Sequence, residues 1–178
     1  TDFRPIYNGA PIEGMLFHIC PNCGFCGRGR LFAMSFDNPE LLADVKSLMP
    51  IDESSLGHKI KRAMECLELL LNYGVLNLNQ WELANEWLNA YWWAETPEQE
   101  QNAGHVVIGY FETALRRNLV PPDKILGIKY LIGEIHRRIG EKDAANAFFD
   151  EVIQEFERRG NRGKLYDLAV QQKNNPEE

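Results

Sequence analysis

Three cysteines in the stretch "HICPNCGFCGRGR", Cys20, Cys23 and Cys26, are the residues of this chain whose types and spacing point most directly to chemistry. In Cys20-Pro21-Asn22-Cys23-Gly24, two residues between the thiols let the amides of the turn face the sulfurs, and the glycine supports the left-handed bend that follows. This is the form of a zinc knuckle. One knuckle supplies two ligands, whereas a structural zinc ion takes four. Cys26 is the candidate third ligand and His18 a fourth, but ligands packed this tightly on a strand make a strained site. A second knuckle upstream of Thr1 is more economical. Two rival chemistries use the same residues. Cys20, Cys23 and Cys26 match the first three positions of a bacterial ferredoxin run, whose fourth position is here Arg30. Alternatively, the three thiols serve a redox or metal-dependent enzyme, although a redox pair favours a helix N-terminus after a strand.

The elements that must hold these cysteines are read from the flanking pattern. "GMLFHI" and "RLFAMSF" bracket them as two short strands of a hairpin. Composition changes near Pro50, dividing the chain into a zinc-knuckle element over residues 1–50, which reads as incomplete, and a helical domain over residues 51–178. The predicted helices cover Leu41 to Met49, Ser54 to Tyr73, Gln80 to Glu95, Thr96 to Asn118, Asp123 to Ile139, Glu141 to Arg159, and the segment "KLYDLAVQQK". Gly74, Gly140 and Gly160 stop three of them. Thr96-Pro97-Glu98-Gln99 announces a start, with a capping hydroxyl, proline at the first helical position and Gln99 placed to close a capping box.

Within "YLIGEIHRRIGEKDAANAFFDEVI", Gly133, Gly140, Ala145 and Phe149 have the spacing of the small and aromatic positions of a tetratricopeptide repeat. Small residues at Gly133 and Ala145 let two helices cross closely, Gly140 turns the chain, and Phe149 fills the gap to the next pair. "YFETALRRN" is an earlier partial copy, with Phe111 and Ala114 in the places of Phe149 and Val152. The expected fold is mainly α: tetratricopeptide-like antiparallel helix pairs preceded by a small zinc-knuckle β-hairpin.

A net charge of −7 works against general attraction to phosphate backbones or anionic lipid. Arg28 and Arg30 are too few to reverse this, so nucleic acid is disfavoured as a partner. No apolar run approaches the length needed to cross a bilayer, and "TDFRPIYNGA" has neither the charged start nor the apolar middle of a signal peptide. A start at Thr1 reads as a truncation. Four cysteines, three of them clustered, are too few for a disulfide framework and place the protein in a reducing, cytoplasmic setting.

His58 and His105 lack ligand partners at helical spacing and read as ordinary packing or surface residues. The arginine pairs at 116 and 117, 137 and 138, and 158 and 159 fall near helix ends, where cations favour the last carbonyls; a basic stripe for acidic peptides is the functional alternative. Trp81, Trp87, Trp92 and Trp93 read as core of an irregular helix pair; Trp92 and Trp93 cannot share one face, and an exposed patch for a partner at one of them is the alternative. No nucleophile, base and orienting group stand at recognisable spacing, and no glycine-rich phosphate loop follows a strand.

The order of a "TDFRPIY" lead, Cys20, Pro21, Cys23 and Gly24, then Tyr130, Leu131, Gly133, Arg137, Arg138 and Gly140, resembles an uncharacterised bacterial domain family. The resemblance implies a zinc-ribbon-like N-terminus joined to tetratricopeptide-like helices, and a second cysteine pair upstream that this sequence lacks. It implies no reaction. Cys26 departs from the small residue usual in that family. The expected function is a protein-interaction adaptor with a structural zinc at Cys20, Cys23 and Cys26, binding a protein or peptide on the helical surface through Lys129, His136 and Arg137.

Overall fold

The computed structural model describes residues 3, 16–35, 37–48 and 55–174. The "TDFRPIY" lead apart from Phe3, the start of the first predicted strand, the boundary at Pro50, and the junction between the first two helices at residues 49–54 lie outside the described residues.

Among those residues the protein is mainly helical, with one small antiparallel hairpin. Strand β1 is Phe17–Ile19 and β2 is Cys26–Arg28, paired in the register Phe17 to Arg28, His18 to Gly27 and Ile19 to Cys26. The second predicted strand is displaced. "RLFAMSF" does not extend; Gly29–Ala33 form a 3-10 helix closed by Met34 N–H on the Leu31 carbonyl at 3.2 Å. The reason is local. This turn buries Leu31, 6% exposed, and sets the Phe32 ring edge-on to Phe25 at 5.3 Å.

Among the described residues seven α-helices follow: α1 Pro39–Ser47, α2 Leu56–Asn72, α3 Gln80–Trp92, α4 Pro97–Arg116, α5 Ile125–Arg138, α6 Lys142–Arg158 and α7 Lys164–Asn174. Their starts are written in side chains. Asn38 accepts from the Glu40 and Leu41 amides ahead of Pro39, and Ser55 accepts from the His58 amide. Asn79 and Glu82 form a reciprocal capping box. Thr96 caps α4 as its sequence predicts, accepting from the Gln99 amide at 3.2 Å, but the Gln99 carboxamide reaches past it to the Glu95 N–H at 2.9 Å.

Helices α3 and α4 pack along each other, as do α5 and α6. The second contact explains the small residues. A Cβ on Gly133 would stand 2.8 Å from Phe149 Cε1 and 3.2 Å from Phe148 Cβ, so only glycine admits the approach. Gly140, at φ +89°, makes the turn between α5 and α6, and Ala145, Phe149 and Val152 are buried with Tyr130 and Ala169. Phe111 and Ala114 are likewise fully buried.

The hairpin packs on α2 and shares its core. Phe17, Phe25, Cys26 and Leu31 belong to the same apolar cluster as Ile60, Met64, Leu67, Leu88 and Phe111. Trp81, Trp87, Trp92 and Trp93 are all partly buried against that cluster, in line with the core reading; the alternative of an exposed patch at Trp92 or Trp93 is not formed.

Candidate functional site

Cys20 and Cys23 stand on the turn between β1 and β2. Two backbone bonds close it: Cys20 N–H to the Phe25 carbonyl at 2.8 Å, and Gly24 N–H to the Cys20 carbonyl at 2.9 Å. Gly24 takes φ +75°, the left-handed conformation that its position demands. The Cys20 sulfur receives the N–H groups of Asn22 and Cys23, which lower its thiol from the ordinary value, and the Cys23 thiol bonds to it as well. Cys23 is shifted up instead, chiefly by burial, against the N–H of Phe25. Amides aimed at both sulfurs are what a pair of metal-bound thiolates requires.

Cys26 is elsewhere. It is wholly buried on β2, its thiol donating to the Lys59 carbonyl of α2 at 3.3 Å while its own N–H donates to the Cys66 sulfur at 3.3 Å. Burial pushes the Cys26 thiol up to about 12 and that of Cys66 up to about 11. His18 lies on the exposed face of β1, its ring edge-on to Phe32 at 6.0 Å. Among the described residues no group of three or more His, Cys, Asp or Glu is placed to hold a metal ion. The structure thus brings Cys20 and Cys23 together as two sulfur donors and seats Cys26 in the core beside Cys66.

The surroundings are more basic than the sequence reading anticipated. Arg62 of α2 is buried at 4% exposure, and a Cβ on Gly24 would come 3.5 Å from its guanidinium. Its charge favours the thiolates of Cys26 and Cys66, as that of Lys46 on α1 favours Cys23. Arg28 and Arg30 are clamped on one carboxylate, Glu86 of α3, at 3.0 and 3.1 Å. Arg28 also lies over the Phe17 ring at 4.9 Å. Nothing in local spacing announced Arg62 or Glu86, since both reach the hairpin only through tertiary packing.

The three residues expected on the helical surface are each engaged. Lys129 pairs with Glu151 at 2.6 Å. His136 stacks on Phe148 and meets the Glu141 carboxylate at 2.6 Å, which also holds His105 at 2.9 Å. Arg137 forms a two-pronged pair with the fully buried Glu134, both bonds 2.9 Å. The other arginine pairs behave alike: Arg158 and Arg159 grip Glu155, and Arg116 meets Glu112 at 3.5 Å. Of the three, Lys129 borders open space. With Leu115, Arg116, Ile125, Phe148, Glu112 and Glu151 it lines a groove of about 440 Å³ on helices α4, α5 and α6.

Residues 1–175 match the family model described as "Uncharacterized protein conserved in bacteria (DUF2225)". The chain belongs to that family. No curated protein and no solved structure matches this DUF2225 chain. Among its described residues no helix is long and apolar enough to cross a membrane.

Proposed function

We propose that this DUF2225 chain is a protein-interaction adaptor: tetratricopeptide-like helix pairs offer a groove to a protein segment, and a structural zinc fixes the hairpin at one end. The groove between α4, α5 and α6 carries the reading. Its floor is apolar, from Leu115, Ile125 and Phe148, and its rims hold the opposed pairs Lys129 with Glu151 and Arg116 with Glu112. Such a surface suits a chain that inserts apolar side chains and exchanges ion pairs at the edges. Arg137 is paired with the buried Glu134, and His136 stacks on Phe148, one of the groove residues.

In this reading Cys20 and Cys23 hold half of the zinc shell and the remaining ligands come from outside the described residues. Zinc would add a cross-link at the β1–β2 turn to the burial of Phe17, Phe25, Cys26 and Leu31 that seats the hairpin on α2. One observation favours a second reading, a thiol redox or metal-dependent enzyme: Cys20 is partly exposed, and the N–H groups of Asn22 and Cys23 lower its thiol.

The test places a photo-crosslinking amino acid at Ile125, at Leu115 and, as a control, at exposed Lys164 in the full-length protein inside cells. The adaptor reading expects one defined adduct from both groove positions, none from Lys164, and loss of the adduct with Phe148→Asp. Adducts that ignore position sink it. Metal content decides between the two readings of the turn. Zinc lost in Cys20→Ser and Cys23→Ser variants supports the structural site, whereas a zinc-free full-length protein with a fast-reacting Cys20 supports thiol chemistry.

A further inference from the structure

A second concavity lies away from both the cysteine turn and the α4–α6 groove. It opens between α2, α3 and α4, with a volume of about 110 Å³. Its walls are Gly57, Trp87, Ala90, Ala103 and Val106, and its rim carries Lys61, Gln99 and Asn102. Walls and rim have different chemistry. A cavity of roughly 150 Å³ with aliphatic and aromatic lining takes up a benzene-sized molecule, so this one has room for a short branched alkyl group. Small residues on two facing helices make the space. Gly57 must be small for a separate reason, since a Cβ there would meet the Trp93 carbonyl at 2.8 Å.

The rim sets the polarity of the occupant. Lys61 is exposed on the outer edge of α2, and none of the ion pairs among the described residues uses it. Its neighbour Arg62 is taken by Glu65 at 3.1 Å. Asn102 is exposed at the mouth, an amide donor one turn beyond Gln99 on α4. One ammonium and an amide donor at the edge of an apolar recess match a carboxylate carried on a short alkyl tail.

Two acidic groups are close enough to matter. Glu95 lies at the Gly57 wall, where its carboxylate accepts from the Gly57 N–H at 3.0 Å and from the Ser55 hydroxyl at 2.6 Å, so its oxygens are held at the start of α2. Glu68 lies two turns beyond Lys61 on α2, half-buried beside Trp87 and Tyr110, and burial raises its carboxyl. The Trp87 indole N–H, in the recess wall, is buried without a hydrogen-bond partner. We infer that the α2–α4 recess is a binding site for a short aliphatic monocarboxylate, with the alkyl group against Trp87, Ala90, Ala103 and Val106 and the carboxylate at Lys61 and Asn102.

The experiment is a nuclear magnetic resonance titration of the full-length protein, reading the methyl signals of Ala90, Ala103 and Val106. The probes are 4-methylpentanoate, 4-methylpentanamide and 3-methylbutylamine, which keep the tail and change the head. The expected result is saturable shifts of those three residues with the carboxylate and at least ten-fold weaker binding of the amide, the ratio a charge-assisted hydrogen bond supplies. Lys61→Met, a surface change that leaves the walls intact, brings the carboxylate down to the level of the amide. Equal binding of carboxylate and amide, preference for the amine, or absence of saturation with all three overturns the assignment. So does Lys61→Met binding the carboxylate undiminished.

Discussion

The N–H of Cys26 donates to the sulfur of Cys66 across 3.3 Å, although 40 residues separate the two in the chain. The contact ties β2 to the middle of α2 and places two thiols in the core, one turn of hairpin away from two that are partly exposed. The four cysteines therefore divide into a surface pair and a buried pair.

Thiol labelling should follow that division. With Cys26 pushed up to about 12 and Cys66 to about 11 by burial, neither offers a useful thiolate fraction at pH 8, and neither is reachable by solvent. Iodoacetamide applied to folded, metal-free protein at pH 8 is expected to modify Cys20 first and to leave Cys26 and Cys66 intact until denaturant is added. Peptide mass spectrometry reads the order. Early modification of Cys66 would contradict the packing of the hairpin on α2.

Two glycines in long helices should respond oppositely to alanine. Gly133→Ala inserts a methyl group 2.8 Å from Phe149 Cε1, and overpacking of that kind costs about 1–3 kcal/mol, more than the gain in helix propensity. Gly109→Ala meets nothing within 4 Å on the exposed side of α4 and is expected to stabilise by about 0.5–1 kcal/mol. Urea unfolding of both variants measures the difference; a stabilised Gly133→Ala would mean that α5 and α6 are not in contact as described.

Acid should strike the Glu134 cluster. Burial raises the Glu134 carboxyl, but the hydrogen bonds of Arg137 and Arg138 outweigh it and hold the group below the ordinary 4.5. A carboxyl depressed in the folded state adds stability that is present above 4.5 and is lost as pH falls through the folded value. Glu134→Gln is expected to cost about 3 kcal/mol at pH 7, since it leaves the partly buried Arg137 without its counter-ion. At pH 2.5 the gap between the variant and the parent should narrow. A gap that is constant from pH 7 to pH 2.5 would assign the effect to shape rather than charge.

Much of the helical part was legible because its signals are local. Thr96-Pro97, Gly140 and the periodic apolar residues of α2 each act within a few positions, and the helix ends fall within a few residues of where those signals place them. Gly133 and Phe149 were legible as a pair, because a small residue opposite an aromatic ring is a packing requirement that spacing preserves. The Gln99 carboxamide slipped by one residue from its expected partner, a choice made by the geometry of the Glu95 loop. "RLFAMSF" alternates well enough for a strand, but Leu31 is drawn into the core and the chain coils to let it in. Cys26 shared a spacing pattern with Cys20 and Cys23, yet strand alternation and the approach of α2 set its side chain inward. Glu86 as the anchor of Arg28 and Arg30 was beyond reach, because the pairing spans 58 and 56 residues.

The Glu86 clamp and the Cys26–Cys66 contact also set a timetable. A chain is made from its N-terminus, so the cysteine turn leaves the ribosome well before α2 and α3, the helices against which it is held. During that interval Cys26 is in water rather than in the core and ionises far more readily than it does once folded. The newborn segment therefore offers three neighbouring reactive sulfurs where the finished protein offers two, and the arrival of Cys66 withdraws the third.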